Sequence, residues 1–317
     1  MTKYTEIDLN NINTYSVKGR KSIVHISDFI KLDEKISTKN FIKSLPNILK
    51  AKDLRELLGH CSDAMDSHKP IIMMLGGHTI KCGLSPLFIR AIENGLIDTI
   101  AVNGSVCIHD FEIAMFGKTS EIVDTAIEDG SFGMGEETGR ILNETITNGY
   151  KNGLGYGESI GKYIFEQKPE FWEYSLLAKA YQHNVPITVH VGIGTDIIHQ
   201  HKQCNGEAAG GASYRDFKIF ANRIKDLNEG GVLLNFGSAV ILPEVFLKAV
   251  TIVRNLGFPL QKFYTAVFDM NLHYRPLINI TKRPTSMGGK GYYFIGHHEI
   301  MIPLFFLSLL ENLNQLP

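Results

Sequence analysis

Small and polar residues follow five apolar runs of the sequence, and their types are suited to binding a nucleotide. Gly76-Gly77-His78-Thr79 follows the first run, and Asn103-Gly104-Ser105 follows the second. The other three runs lead into segments that contain Asp196, Gly237-Ser238 and Asp269. Glycines let backbone amides approach a phosphate or a ribose, and helix N-termini add partial positive charge. These junctions predict a nucleotide site, although none of them matches the GxGxxG fingerprint.

Four titratable side chains lie near the same junctions and are candidates for a catalytic base. They are His78, His109, His190 and Glu244. An enzyme that oxidises an amine or an alcohol with a nicotinamide needs such a group to take the proton. A lone core histidine is also compatible with a structural role.

A second set of residues could bind a metal ion. His199, His201 and Cys204 are close in sequence, and His190 and the run His297-His298-Glu299 lie elsewhere. Imidazole, thiolate and carboxylate are zinc ligands, so a metal-dependent hydrolase is an alternative function. The spacing is weakly specific, because the residues from Asn205 to Tyr214 read as a mobile loop. The sequence therefore favours a site without metal.

The overall composition indicates a globular protein. The 317 residues are 44% hydrophobic and 21% charged, which is enough apolar material for a sizeable core. A net charge of −1 leaves no excess of positive charge that would favour binding to nucleic acid or to an anionic membrane. Four cysteines without a CxxC spacing and an N-terminus without an apolar signal segment predict a cytoplasmic protein.

Strand and helix patterns alternate from Pro70 onward, after a helical stretch from Asn40 to about Lys69. Short apolar runs predict strands at Ile71–Leu75, Thr99–Val102, Ile187–Val191, Gly231–Phe236 and Phe263–Phe268. Apolar periodicity predicts helices at Pro86–Asn94, Ile108–Phe116, Ser120–Glu128, Glu136–Thr147, Phe171–His183, Tyr214–Asn228, Pro243–Leu256 and Ile300–Leu310. The glycine-rich stretch Gly149–Gly161 reads as a loop over the sheet.

This alternation predicts an α/β fold, a Rossmann-like parallel sheet flanked by helices. Residues 1–69 would form an N-terminal arm with helices, and residues 70–317 the nucleotide-binding domain. In such a sheet the carboxyl ends of the strands form the ligand crevice. The helices Ile108–Phe116 and Ile300–Leu310 carry more apolar surface than packing within one domain requires, so a homo-oligomer is expected.

From about Met73 to Leu310 the chain resembles the deoxyhypusine synthase family, whose relatives include homospermidine synthase. The similar stretches are 83–112, 175–201 and 230–257, and they occur in the same order as in the family. The resemblance implies a Rossmann-like NAD-binding fold and tetramers with sites at subunit interfaces. It also implies NAD-dependent aminobutyl transfer from spermidine.

Several residues match the family's functional positions. The resemblance places the strand-end residues in contact with NAD: Gly76, Gly77, His78, Thr79, Asn103, Gly104, Ser105, Asp196, Gly237, Ser238 and Asp269. His109 and Asp110 fall where the family has acidic residues that bind the polyamine, and His190 is a further candidate for substrate binding. Asp110, Glu112 and Glu244 could pair with ammonium groups.

The sequence also departs from the family pattern. Pro243-Glu244 replaces a pair of histidines, and the lysine that forms the covalent imine has no Trp beside it here. Lys282 is the nearest candidate for that lysine, and Lys290 is the second. The sequence thus predicts an NAD-dependent transferase or amine oxidase for a small amine or polyamine, with Lys282, Glu244 and His109 catalytic, but not true deoxyhypusine synthesis. A non-catalytic nucleotide-binding protein is a further alternative.

Overall fold

The computed structural model describes residues 38–312. Its strands are β1 (Ile71–Leu75), β2 (Thr99–Asn103), β3 (Ile187–His190), β4 (Val232–Phe236), β5 (Tyr264–Asp269) and β6 (Lys290–Ile295). The first helices are α1 (Thr38–Ser44), α2 (Leu49–Asp66), α3 (Gly77–Lys81), α4 (Ser85–Glu93), α5 (Gly104–Phe116), α6 (Val123–Ala126) and α7 (Glu136–Lys151). They are followed by α8 (Tyr156–Gln167), α9 (Leu176–Gln182), α10 (Gly206–Ile224), α11 (Ile241–Asn255), α12 (Tyr274–Pro276, continued by a π-helical segment Leu277–Lys282) and α13 (His298–Asn312).

The six strands form one parallel sheet in the order β3-β2-β1-β4-β5-β6. Strand order reverses between β1 and β4, which are neighbours with Leu75 opposite Phe236. Open sheets of this kind bind ligands where the order reverses, outside the carboxyl ends of the strands. The predicted Rossmann-like α/β fold is confirmed.

Apolar side chains cover both faces of the sheet. On one face, Met73, Leu75 and Phe236 belong to a core cluster that includes residues of α2, α4, α5 and α13. On the other face, Ile72 and Met74 pack with α10 and α11. The strands are mainly apolar, without a polar face, because both of their faces are buried.

Two predicted local structures are corrected, and one strand is added. The glycine-rich stretch 149–161 is not a loop, because it spans the end of α7 and the start of α8. Its glycines allow close packing: an added Cβ at Gly157 would lie 2.2 Å from Ile187 O, and one at Gly161 would lie 2.6 Å from Leu177 O. The segment after Asn205 opens α10, since the Asn205 side chain accepts a hydrogen bond from Ala208 N. Lys290 starts β6, a sixth strand that the sequence pattern did not indicate.

The Gly-x-Ser-x-Gly spacing at 157–161 also lies inside α8. Ser159 donates its hydroxyl to Gly155 O, 2.5 Å away, within the helix. A nucleophilic serine of an α/β-hydrolase instead stands on a strand-to-helix turn. This spacing is therefore a packing feature.

The predicted N-terminal arm is described only from residue 38. Helix α2 buries Leu57 and Cys61 in the same core cluster as Phe294 of β6. The division at residue 69 stays a prediction, and residues 1–37 lie outside the described part of the chain. Within residues 38–312, no helix is both long enough and apolar enough to cross a membrane.

Two buried carboxylates hold helix ends in place, Asp110 between α5 and α9 and Asp216 between α10, α8 and β3. Asp110 is fully buried and accepts hydrogen bonds from Ser175 Oγ (2.5 Å) and Leu176 N (2.7 Å) at the start of α9. Asp216 accepts from Gly157 N (2.9 Å) in α8 and from Val189 N (2.8 Å) in β3. Burial raises the pKa of Asp110 to about 6 and that of Asp216 to about 7.

The two strands at the reversal point approach each other through glycines. An added Cβ at Gly76 would lie 2.2 Å from Gly237 O, so no larger residue fits there. Gly237 has a φ of +68° and its own Cβ would lie 2.7 Å from His298 Nε2. Both the backbone conformation and the space therefore require glycine at 237.

Replacement of Asp216 tests its anchoring role. In the Asp216→Ala variant two buried N–H groups lose their acceptor, so we expect the free energy of unfolding to fall by about 2–4 kcal/mol. The pKa of Asp216 in the folded state lies above the ordinary value of about 3.9. Its contribution to the free energy of unfolding is therefore complete below about pH 4 and is lost as pH rises to about 7. Asp216→Asn, which cannot ionise, should remove that part of the pH dependence. Urea denaturation at about pH 5 and about pH 8 measures both effects. An Ala variant as stable as the wild type would contradict the assignment.

Replacement of Gly237 tests the packing at the reversal point. Gly257→Ala is a matched control, because Gly257 has a φ of +81° but open space around its Cβ position. Gly257→Ala should cost about 1 kcal/mol for the left-handed backbone alone. Gly237→Ala should cost a further ~1–3 kcal/mol, because the methyl group must displace His298. Equal losses in thermal or urea unfolding would show that the His298 contact does not matter.

Candidate functional site

The carboxyl edge, the residues at and just after the carboxyl ends of the strands, holds most of the predicted site. The β1 turn (76–79) and the β4 turn (237–238) contact each other there. The β2 turn joins them, since an added Cβ at Gly77 would lie 2.3 Å from Ser105 Oγ and 3.4 Å from His109 Cδ2. Ser105 in turn donates to Asn103 Oδ1 over 3.1 Å. Three strand ends thus form one continuous surface.

Asp196 lies beside the β2 turn. A Cβ at Gly104 would lie 2.0 Å from Asp196 Oδ2, which places this carboxylate against the N-terminus of α5. The Asp196 side chain also accepts a hydrogen bond from His199 N, while His199 Nδ1 accepts one from Asp196 N. Burial raises the pKa of Asp196 to about 6. Because a carboxylate already lies there, a phosphate fits better at the β1 and β4 turns than at Gly104.

Two histidines face each other across the reversal point. The rings of His78 and His298 have centroids 5.8 Å apart. His298 is 2% exposed, and its Nδ1 has no hydrogen-bond partner. Burial lowers the pKa of His298, and the nearby Asp269 carboxylate opposes that effect in part. The ring is therefore neutral at physiological pH, with one nitrogen available to a ligand or a water.

Asp269 ends β5 and faces the same region. Its Oδ1 accepts a hydrogen bond from Asn271 N (3.2 Å) and lies 3.5 Å from His273 Nε2. The Asp269 side chain is 7% exposed, whereas His273 is 41% exposed. The carboxyl edge thus holds a nearly buried carboxylate, Asp269, next to a partly exposed histidine, His273.

Buried polar atoms without a partner concentrate at this edge. Among the described residues eight such side-chain atoms occur, and four belong to residues at or just beyond strand ends: Asp196 Oδ2, His199 Nε2, Asn235 Oδ1 and His298 Nδ1. Buried polar groups in proteins are nearly always hydrogen-bonded, so a group of unpaired ones indicates a place for water or a ligand.

Glu244 lies in the first turn of α11 and is already paired. It contacts Lys248, Arg275 Nε lies 3.4 Å from its Oε1, and Asn279 donates to Oε1 over 2.9 Å. The hydrogen bond from Lys248 lowers the pKa of Glu244, with Arg275 adding to the effect. Glu244 is thus an ionised acceptor and a weak base.

Four predicted residues are placed away from the carboxyl edge or are turned into the core. Asp110 is fully occupied as the anchor of α9. His190 is 4% exposed, with Nε2 3.1 Å from Thr188 Oγ1 and its ring against Phe220. Lys282 follows Thr281, whose carbonyl touches Gly291 at the start of β6. Lys282 and Lys290 therefore lie at the opposite, amino edge of the sheet, away from the strand-end turns that are predicted to bind NAD.

The predicted metal ligands do not come together. His201 Nε2 donates to Gly133 O over 2.8 Å, and His199 Nδ1 accepts from backbone N–H groups. His297 Nδ1 lies 3.9 Å from Glu299 Oε1, on a different strand end. Within residues 38–312, no group of three His, Cys, Asp or Glu side chains is arranged to hold a metal ion.

Some site residues were missed in the sequence. Asn235 lies inside an apolar run, where a single buried amide could have been noticed. His273 is four residues beyond Asp269, and Thr119 and Thr138 contact Glu112 from outside its helix. Nothing in the spacing indicates the contacts of Thr119 and Thr138, because the chain folds back to bring them there.

One well-defined cavity lies away from the carboxyl edge. It measures about 540 Å³ and lies between α8, α9 and the amino end of β3, with Glu158, Tyr181 and Thr188 in its lining. Oδ2 of its buried carboxylate, Asp216, accepts from two backbone N–H groups, and Oδ1 has no partner among the described residues. The other unpaired atoms beside strand-end glycines are at the carboxyl edge, so we place the site there.

No protein-family model and no curated protein matches the sequence. Solved structures do match in fold. A candidate deoxyhypusine synthase from Entamoeba histolytica has a TM-score of 0.54 at 11% identity, over 88% of this chain and 95% of that one.

The protein AgrE also matches in fold. A point mutant of AgrE in complex with L-arginine has a TM-score of 0.53 at 12% identity, over 89% of this chain and 35% of that one. AgrE with ornithine and NAD+ has a TM-score of 0.51 at 10% identity, over 83% of this chain and 33% of that one. The chain therefore spans about a third of the length of AgrE. At these identities the similarity shows a shared fold.

Proposed function

We propose that this chain is an NAD-dependent enzyme that oxidises a small amine at the carboxyl edge of its sheet. The observation that carries the proposal is the group of four unpaired, buried polar atoms at this edge. They lie where a sheet of this strand order binds ligands, beside turns that only glycine fits.

The residues present fit a dinucleotide. The phosphates would bind at the reversal point, where the β1 and β4 turns meet. The residues there are Gly76, Gly77, Gly237 and Ser238, with His78, Thr79, Asn103, Gly104 and Ser105 alongside. The Asp196 and Asp269 carboxylates are suited to hydrogen bonds from ribose hydroxyls. A bound nicotinamide would supply the hydride acceptor. The chain would bind and orient both partners and take up the proton.

A small amine fits the remaining charges. Glu244 is an acidic group just beyond the carboxyl end of β4, and ammonium groups pair with such carboxylates. The fold neighbour AgrE is known with L-arginine, and with ornithine and NAD+, which are a small amine ligand and a nicotinamide cofactor on a similar fold.

We propose oxidation in preference to aminoalkyl transfer. Transfer through a covalent imine needs a lysine next to the oxidised carbon. Lys282 and Lys290 lie at the amino edge, and Lys290 pairs with Glu56. Assembly into a homo-oligomer, a tetramer by the family resemblance, stays a prediction.

The second candidate function is nucleotide binding without catalysis. It would use the same turns and would explain the ion-paired state of Glu244, which makes that carboxylate a poor base. Formation of NADH with an amine separates the two functions. The metal-dependent hydrolase is not proposed, because its ligands are dispersed in the described structure.

Cofactor binding can be tested with carboxylates at opposite edges of the sheet. Asp269→Asn removes a charge at the carboxyl edge and should weaken NAD+ binding about tenfold, as expected for loss of a charged hydrogen bond. Asp98 is the matched control, because it lies at the amino edge and its Oδ2 also accepts a backbone hydrogen bond, from Ile71 N. Asp98→Asn should bind NAD+ as the wild type does. Titration calorimetry measures both, and equal affinities for the two variants would contradict this location.

The role of Lys282 can be tested by reduction. Because Lys282 is exposed at the amino edge, Lys282→Ala should keep NADH formation with amines within about twofold of the wild type. Borohydride added during turnover should leave Lys282 unmodified in the peptide mass spectrum. A trapped adduct on Lys282, or loss of turnover in the variant, would restore the transferase mechanism.

A further inference from the structure

A chain of three side chains ends at the carboxyl edge. His109 Nδ1 lies 2.8 Å from Thr119 Oγ1, and Thr119 Oγ1 donates to Glu112 Oε2 over 2.5 Å. The other oxygen of Glu112 accepts from Thr138 Oγ1 over 3.1 Å. Glu112 and His109 lie on α5, whereas Thr119 follows that helix and Thr138 belongs to α7.

The direction of these hydrogen bonds follows from counting protons. The Glu112 carboxylate has no proton to give, so both threonine hydroxyls donate to it. A hydroxyl has a single proton, and Thr119 has used it. Thr119 Oγ1 must therefore accept from His109, which requires the proton of the neutral imidazole to be on Nδ1. The other ring nitrogen, Nε2, then has a free lone pair.

The ring carbon bonded to this nitrogen lies beside the predicted cofactor turns. The adjacent ring carbon, Cδ2, is 3.4 Å from the position of an added Cβ at Gly77, next to Ser105. Nε2 makes no hydrogen bond to any described residue. Burial, assisted by the positive charge of Lys81, lowers the pKa of His109 to about 4, so the ring is neutral at physiological pH.

We propose that Glu112, Thr119 and His109 form a proton-acceptor triad. In this triad Glu112 and Thr119 hold His109 in position, and Nε2 of His109 takes the substrate's proton. This inference rests on the proposed amine oxidation. In that reaction the substrate's C–H bond is lost as hydride to the nicotinamide, and its N–H bond is lost as a proton. His109 Nε2 accepts the proton, a carbon–nitrogen double bond forms, and Nδ1–H stays bonded to Thr119. His109 is the catalytic residue, and Thr119 and Glu112 are positioning residues.

The tautomer can be measured without substrate or cofactor. Two-bond proton–nitrogen spectra of histidine-labelled protein distinguish Nδ1–H from Nε2–H, and His109→Gln identifies the signal of His109. The wild type should show Nδ1–H. Thr119→Val, which removes the hydroxyl at constant shape, should shift His109 toward Nε2–H, and Thr119→Ser should restore Nδ1–H. Thr138→Val is the matched control: it removes a hydrogen bond to the same carboxylate and should leave the tautomer unchanged. A wild-type His109 in the Nε2–H form would overturn the proposed triad.

Kinetics test the catalytic part. Thr119→Val should lower kcat for NADH formation by about tenfold or more, because part of the general-base catalysis is lost with the correct tautomer. KM should change little. Thr119→Ser should recover most of that loss. Unchanged kcat in Thr119→Val, with the tautomer shifted, would remove His109 from the reaction. Absence of NADH formation with any amine in the wild type would overturn the proposed oxidation, while the spectra would still decide the tautomer.

Discussion

The burial of both sheet faces is the constraint on which the remaining structure depends. A strand covered on both sides has little room for polar side chains along its length, so they collect where the strand ends. Gly76, Asn103, Gly237 and Asp269 all occupy such positions. Because the strands are parallel, these ends lie at one edge, and the reversal of strand order opens a place for a ligand there. The position of the candidate site therefore follows from the burial of both faces of the sheet.

The sequence predicts the strands well for the same reason. Five of the six strands are mainly apolar runs bounded by turn residues, and the predicted bounds of each agree with the structure to within one residue. The sixth was missed because Lys290–Ile295 begins with a lysine and a glycine and includes two tyrosines. The glycines of α7 and α8 misled in the opposite direction. They resemble a flexible loop in sequence, but Gly157 and Gly161 are in close contact with Ile187 and Leu177, and only the folded chain creates these contacts.

Residue roles were harder to predict than residue positions. The strand-end residues are together at the carboxyl edge, but Asp110 fastens α9 and Lys282 is at the other end of the sheet. Spacing along one helix cannot distinguish a carboxylate that faces a ligand from one that caps a neighbouring helix. The same limit explains why Thr119 and Thr138 gave no signal, since their partner Glu112 is reached only through the fold.

The outer margin of β3 has a consequence for self-association. Val189 N is bonded to Asp216, Val191 N to Ser213 Oγ, and Val189 O accepts from the same serine hydroxyl. The α8 backbone at Gly157 fills the space beside Ile187 O. A foreign β-strand would find no free ladder groups at these positions, so sheet extension between molecules is blocked on this side. Any partner that docks here must recognise helices, and amyloid-like growth from β3 would first require α8 and α10 to detach.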